Sequence, residues 1–471
     1  MSELSLVTPS STLFKEYDIR GVIGEDLNRD TYYTLGLTIG SELQDIDTSK
    51  KILVCYDSRA SSEIFAEALK RGLLLSGIQV IDIGCLPTPV LHFAMRFLNC
   101  PSSLMVTASH NPIDYNGLKI SIAGKNYHGA LLKTLYYRMI HHQLRVNEKN
   151  EGAYIQYPSE LLVAQYIQAI KADLSLPQKL RVVVDCGNAV AGKVVPQLLT
   201  SLGCEVIPLY CDVQETFTNH HPDPAIEENL ADLCRVVQEQ KADIGMAFDG
   251  DGDRLGVVDN KGTIIPSDRL LLAFAAVVLN TKSNPTVVFD VKCTQQLHDY
   301  ILAHGGIPVM TRTGMAHIMS SMAEHQAILG GEFCGHFYFK DRWLDYDDGI
   351  YAAARTLEML GEQANDVHTY FKKFPKSINT SELKIPISEH KKEAFMRQLL
   401  EQAPKFLGGT IVRIDGLRVS FANAWGLIRP SNTGPWLTLR FEAKTESDLQ
   451  QIKLLFRELI TIINPFLELP F

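Results

Sequence analysis

Ile52-Leu53-Val54-Cys55-Tyr56-Asp57 is an apolar run closed by an aspartate, and the order of elements after it sets the architecture. Residues 61–75 read as a helix, and Gly77 falls just past its last periodic position, where helices commonly stop. A second apolar run, residues 79–83, comes next. The same plan recurs twice. Val182-Val183-Val184-Asp185 precedes a helical stretch at 191–202, a stop at Gly203 and a run at 206–209. Val287-Val288-Phe289-Asp290 precedes a helical stretch at 295–303, a stop at Gly305-Gly306 and a run at 308–310. Strand–helix–strand order implies parallel strands covered by helices.

Later in each unit another apolar run delivers a loop rich in reactive side chains. The first loop is Thr107-Ala108-Ser109-His110-Asn111-Pro112. The second is Asp249-Gly250-Asp251-Gly252-Asp253-Arg254. The third is Gly330-Gly331-Glu332-Phe333-Cys334-Gly335-His336. Ligands of such sheets bind beyond the carboxyl ends of the strands, so three similar units would face one cleft with three different loops. The last hundred residues break the plan. Residues 381–387, 409–412, 418–421 and 436–441 read as strands, and 447–463 as a helix. The fold expected is α/β, with three similar mixed-sheet α/β domains around a cleft and a C-terminal α+β domain. The domains are 1–157 with the serine loop, 158–260 with the acidic loop, 261–374 with the glycine-rich loop, and 375–471.

The chain has 471 residues, of which 46% are hydrophobic, enough for several cores. Its 45 basic and 54 acidic residues leave a net charge of −9 with no basic block, which argues against nucleic acid and anionic membrane as partners. Nine cysteines form no CxxC pair, and several lie in apolar runs, as reduced buried thiols of a cytosolic protein would. Neither a signal peptide nor an uncharged apolar run of spanning length is apparent. A cytoplasmic monomer is expected.

Ser109 sits on a loop at a strand end, flanked by His110, and Pro112 stops regular structure just beyond it. A serine hydroxyl is a weak nucleophile unless activated, so alone it also reads as a capping turn. The second loop changes that. Three carboxylates at alternate positions point the same way in an extended loop, and only a cation makes such crowding favourable. A hydroxyl for phosphate and an acidic Mg²⁺ site together suggest phosphoryl transfer. Arg429-Pro430-Ser431-Asn432-Thr433-Gly434-Pro435 offers a guanidinium fork, hydroxyls and loop N–H groups to a phosphate, or is a hairpin loop with an incidental arginine. Tyr17-Asp18-Ile19-Arg20-Gly21 is a weaker signal, in which Arg20 by default pairs with a nearby aspartate. Lys119 follows Ser109 by ten residues and reads as a solvated side chain or, near a phosphorylated serine, as an electrostatic or acid/base group. Glu332 and His336 read as binders of sugar hydroxyls or as surface turn residues. Cys334 reads as a small buried thiol rather than a nucleophile.

These residues resemble the α-D-phosphohexomutase family, specifically its bacterial phosphomannomutase/phosphoglucomutase branch. The resemblance covers essentially the whole chain, and four family signatures occur in family order, at 107–112, 249–254, 331–336 and 429–435. It implies that Ser109 is a phosphoserine, and that Asp249, Asp251 and Asp253 bind Mg²⁺ with it. It implies that Glu332 and His336, with Cys334 between them, contact sugar hydroxyls. Arg429, Ser431, Asn432 and Thr433 would grip the phosphate that is not transferred. Arg20, Lys119, Arg254, His110, Tyr17 and Lys292 match positions near the reacting phosphate or substrate.

Two departures bear on substrate preference. The family's sugar loop usually reads Glu-Met-Ser-Gly-His, and here Phe333 and Cys334 stand in its middle. In Arg312-Thr313-Gly314, Met315 comes next where a histidine often does, and His317 is two positions later. The activity implied is interconversion of hexose 1-phosphate and hexose 6-phosphate, for mannose and glucose. It would run through a phosphoserine and a hexose 1,6-bisphosphate that is both intermediate and activator. The alternatives are a phosphoglucosamine mutase and, from another class, a metal-dependent serine phosphatase.

Overall fold

The computed structural model describes residues 4–47, 49–362, 366–403, 406, 408–431 and 434–471. They form two compact units. One comprises residues 1–270 and 334–370, the other 271–333 and 371–471.

The three repeats are built alike at the level of strand order. In the first, Lys51–Tyr56 lies between Ser103–Val106 and Gln79–Cys85, all parallel. In the second, Arg181–Asp185 lies between Ile244–Phe248 and Glu205–Leu209, again parallel. In the third, Thr286–Asp290 lies between Leu329–Gly331 and Ile307–Thr311, also parallel. The first strand of each repeat is thus central. Strands such as Ile244–Phe248 are buried at every position, which explains their continuous rather than alternating apolar sequence. The first two sheets are mixed because antiparallel strands extend one side. Tyr115–Ile122 adds to Ser103–Val106, and Leu255–Asp259 adds to Ile244–Phe248.

The helix after each first strand ends where glycine allows it. Gly77, Gly203 and Gly305 have φ of 81°, 95° and 79°, a left-handed conformation that closes a helix without a Cβ penalty. The first and third helices run as read, at Ser62–Leu75 and Gln295–Ala303. The second differs. Residues 191–202 divide into a 3₁₀ turn, Val190–Lys193, and a short α-helix, Val195–Ser201, because Pro196 has no N–H to continue a ladder through it.

The aspartate closing each first strand has a common job. Asp57, Asp185 and Asp290 are at most 1% exposed, and each accepts hydrogen bonds from the turn after it. Asp57 also accepts from Thr107 Oγ1 at 2.6 Å, and Asp290 from the Phe333 N–H at 3.3 Å. In two repeats the strand end is therefore tied directly to the loop that carries the candidate site residues.

The C-terminal sheet is antiparallel in its main path. Strands Trp436–Ala443, Ala424–Pro430, Leu417–Ser420 and Thr410–Val412 lie side by side, with Glu446–Ile463 packed on Phe441 and its neighbours. Two of its elements gave no sequence signal, the helix Glu389–Gln402 and the strand Ala424–Pro430. Within this unit Arg418 is fully buried. Its guanidinium lies 3.8 Å over the Trp425 ring and donates to the carbonyls of Val291 and Cys293, fastening the C-terminal sheet to the third repeat.

Candidate active site

In the first unit, strand Ser103–Val106 ends at Thr107 and the chain turns back into Tyr115–Ile122. Ser109 lies in that turn with φ of 49°, a conformation uncommon for a residue with a Cβ. Its N–H donates to Thr107 Oγ1 at 2.9 Å. Its hydroxyl donates to Asp249 Oδ2 at 2.7 Å, and His110 Nδ1 lies 3.1 Å from the same Oγ. Burial, with Arg254, Arg20 and His336 nearby, holds His110 well below the usual histidine range.

The acidic loop joins two antiparallel strands, with Phe248 opposite Leu255. Asp249, Asp251 and Asp253 are at most 1% exposed, and one oxygen from each lies within 4.8 Å of the others. The close approach of the two loops depends on Gly250, where a Cβ would sit 2.3 Å from the Ser109 carbonyl oxygen. Lys119 lies opposite Met105 on the strand leaving the serine loop, and donates to Asp251 Oδ2 at 2.7 Å and Asp253 Oδ2 at 2.5 Å. It is therefore not the solvated lysine of the simpler expectation. Burial opposes its charge, but Asp251 and Asp253 outweigh burial and hold the ammonium firmly protonated. Burial and the neighbouring Asp253 and Asp251 push Asp249 well above the carboxylate range. Asp253 moves well below it, because Lys119 and His336 outweigh its burial.

Does this donor set fit a divalent cation? Three buried carboxylates and a hydroxyl are hard oxygen ligands, which suit Mg²⁺. Asp251 Oδ1 is buried with no hydrogen-bond partner, an acceptor that a cation or its water would satisfy. The residues fit.

Arg20 pairs with an aspartate, as expected by default, and also reaches the serine loop. Its Nε donates to Asp18 at 2.8 Å, and its Nη1 reaches the serine loop at the Ala108 carbonyl and the Asn111 side chain. Tyr17 is half-buried just before strand Ile19–Val22, which pairs antiparallel with Tyr115–Ile122. Arg254 is buried, 3.8 Å from Asp223, and its backbone forms a bridge with His336. His336 Nε2 lies 3.0 Å from Asp253 Oδ1 and 3.1 Å from Arg254 Nε. Burial disfavours its charge, but Asp253 and Cys334 reverse this and keep the imidazolium well above the usual range. The surface-turn reading of His336 is thereby replaced by a half-buried one tied to Asp253 and Arg254. Three neighbours of these loops gave no sequence signal. Thr88 donates from N to the Asp251 carbonyl and from Oγ1 to its carboxylate, His221 Nε2 meets the His110 carbonyl, and Arg59 lies behind the serine loop.

Cys334 is half-buried with Sγ 4.0 Å from His336 Nδ1. The thiol is a weak hydrogen-bonding group where the family usually has a hydroxyl. For the activity that the resemblance implies, Cys334→Ser should keep turnover within about tenfold, roughly 1.4 kcal/mol in the barrier. A collapse of turnover by several orders of magnitude in the folded variant would give the thiol a chemical role.

The second unit carries the other candidates. Glu332 is 1% exposed, not a surface turn, and its Oε1 accepts the Gly314 N–H at 2.7 Å. Lys292 donates to Glu382 at 2.5 Å and lies 3.9 Å from Asp290. Phe333 packs under the Arg440 guanidinium, 3.8 Å above its ring, which gives this departure from the family's loop a structural partner. Arg429 is not on a loop. It lies in strand Ala424–Pro430, buried, opposite Thr438, and its Nε donates to Asp415 at 2.9 Å. The strand character of Leu427, Ile428 and Arg429 is hidden by the Pro430 just after them. Asp415 also accepts the Thr313 N–H, so it links the 312–314 turn to Arg429. Ser431 closes the strand, its N–H donating to the Trp436 carbonyl and its Oγ accepting from the Gly434 N–H. Asn432 and Thr433 lie outside the described residues. Met315 and His317 both fall on helix Met315–Glu324, and two steps on a helix turn them about 200° apart. His317 therefore does not take the place of a residue at 315.

The sequence matches the four phosphoglucomutase/phosphomannomutase domains in order. These are α/β/α domain I over residues 11–142, domain II over 164–262, domain III over 266–378, and the C-terminal domain over 382–459. The chain belongs to this family. It is 44% identical to a phosphomannomutase/phosphoglucomutase of Pseudomonas aeruginosa, over all of both chains. It is 39% identical to a phosphoglucomutase of Neisseria meningitidis, covering 95% of this chain and 96% of that one. Among solved structures, a phosphoglucomutase/phosphomannomutase family protein of Burkholderia thailandensis superposes with a TM-score of 0.91 at 39% identity, covering 98% of this chain and 100% of that one. The family assignment agrees with the three-fold strand order and the antiparallel C-terminal sheet.

Proposed function

We propose that this phosphohexomutase interconverts the 1- and 6-phosphates of mannose and glucose, with Ser109 as its phosphoryl carrier. The observation that carries the reading is the Ser109 hydroxyl set 2.7 Å from the first of three clustered, buried carboxylates. In each half of the cycle, the bond from phosphorus to one oxygen breaks as the bond to another forms. Phospho-Ser109 first gives its phosphoryl group to the free hydroxyl of a hexose phosphate. The resulting hexose 1,6-bisphosphate turns over, and its other phosphoryl group returns to Ser109. Asp249, Asp251 and Asp253, with the serine oxygen, would hold Mg²⁺, which when bound neutralises charge on the transferring group. Lys119 and Arg254 are fixed cations that remain charged throughout. Arg20 holds the serine loop from the other side. His110 lies with Nδ1 3.1 Å from the Ser109 Oγ, within reach of the reacting oxygen. Glu332 and His336 are the hydroxyl readers, Lys292 and Tyr17 contact substrate, and Arg429 with Ser431 grips the resting phosphate.

None of the described helices is long and apolar enough to cross a membrane. From the acidic charge balance and cysteines that form no CxxC pair we infer phosphosugar substrates and a cytosolic monomer, which sedimentation and fractionation test. The reading of function is tested by kinetics on mannose, glucose and glucosamine 1-phosphates with Mg²⁺ and catalytic hexose 1,6-bisphosphate. Mannose and glucose should turn over and glucosamine poorly. Preference for glucosamine would make it a phosphoglucosamine mutase, and release of free phosphate in place of isomerisation would make it a phosphatase. Arg429→Lys keeps the charge but loses the planar fork. The Michaelis constant for hexose 1-phosphate should rise about tenfold or more, with Ser109 still phosphorylated by added bisphosphate. An unchanged Michaelis constant would remove Arg429 from substrate binding.

A further inference from the structure

Arg59 comes three residues after the first repeat's strand and is 2% exposed. Its hydrogen bonds go to its own strand end and to the serine turn. Its Nε donates to Asp57 Oδ2 at 3.2 Å. Its Nη1 donates to the carbonyls of Pro112 at 2.7 Å and Tyr115 at 3.1 Å. Its Nη2 donates to the carbonyls of Ser109 at 2.8 Å and Asn111 at 2.7 Å. One planar fork thus gathers four carbonyls of a single turn, and the same Asp57 carboxylate holds Thr107 at the turn's entrance. A buried carbonyl needs a donor, and a turn wound this tightly supplies few from its own backbone.

The Ser109 carbonyl is the critical one. It lies between Arg59 Nη2 and Gly250, where no Cβ could be accommodated. It belongs to the residue held at φ of 49°. Its position therefore sets both the serine's backbone and its approach to the acidic loop. We propose that Arg59 is a positioning residue, which fixes the left-handed Ser109 turn by its carbonyls and so aims the serine oxygen at the acidic loop. The proposal rests on Ser109 being the phosphoryl carrier. A lysine could not replace it, because one ammonium cannot meet carbonyls spread along a planar fork.

Arg59→Lys should lower kcat about 100-fold while the Michaelis constant for glucose 1-phosphate stays within threefold. In the unphosphorylated protein, amide exchange should quicken across residues 107–116 and not elsewhere. Lys70→Met is the control. Lys70 forms a buried ion pair with Asp82 in the same unit, away from the turn, and its loss should lower thermal stability without lowering kcat. Should Arg59→Lys not fold, Asp57→Asn leaves the fork in place but removes the carboxylate that orients it. It should give a smaller loss of kcat and the same localised exchange. The proposal is overturned if folded Arg59→Lys keeps kcat within threefold, or if its exchange rises throughout the unit. It is equally overturned if Lys70→Met loses as much turnover, or if Asp57→Asn leaves both kcat and exchange unchanged. Because the exchange is read without phosphate, a wild-type enzyme that turns over with no phosphate on Ser109 would sink the carrier reading and leave the positioning result standing.

Discussion

Ser109→Ala should abolish mutase turnover by at least about four orders of magnitude, ~5.4 kcal/mol in the barrier, and leave the protein folded. Two features make the loss specific. In the proposed relay the Ser109 oxygen, held against Asp249, is the one that carries the phosphoryl group, so its removal leaves that group no enzyme oxygen to reach. The fold has little reason to change, since alanine meets the same left-handed backbone constraint as serine. Asp249 also keeps the N–H donors of Gly252 and Arg254, at 3.1 and 3.2 Å. Intact mass should show one phosphoryl group on the wild type and none on the variant. If the wild type turns over well with no phosphate on Ser109, even with bisphosphate present, the relay is wrong.

Asp251→Asn should cost nearly as much for a different reason. The change removes one charge but keeps the shape, so Thr88 can still meet the side chain. Turnover should fall about 1000-fold or more, ~4 kcal/mol, and Mg²⁺ affinity by at least tenfold. Folding stability should move little, because relief of crowding between three buried carboxylates offsets the lost pairing with Lys119. Titration calorimetry and thermal unfolding separate the two quantities. Full activity of this variant in excess chelator would take the metal out of the mechanism.

The strand, helix stop and second strand of each repeat are legible in the sequence. Burial on both sheet faces forces continuous apolar runs, and left-handed helix ends call for glycine. The acidic loop is legible because carboxylates at alternate positions have few other uses. Arg429 reads wrongly as a loop residue because Pro430, Gly434 and Pro435 lie close by, and only pairing with Trp436–Ala443 shows the strand. The helix Glu389–Gln402 escapes notice because it is rich in charge, with a narrow buried face of Lys392, Phe395, Met396 and Leu399. Arg59, Asp415 and Thr88 are beyond the reach of composition. Each matters through the residues it touches across the chain, and local sequence holds no record of those.

The first unit is assembled from two separated lengths of chain, and that has a bearing on its synthesis. Residues 334–370 bring the helix Gly349–Gly361, buried along its length, and a Cβ on Gly349 would collide with the Arg254 backbone. A ribosome moving at about 5–20 residues per second releases the serine and acidic loops several seconds before that helix exists. During this interval the nascent acidic loop keeps its charges and its solvent but lacks its final packing partner. Truncation after residue 270 would leave the same gap permanently, so an isolated N-terminal fragment should bind chaperones rather than behave as a free-standing half-enzyme.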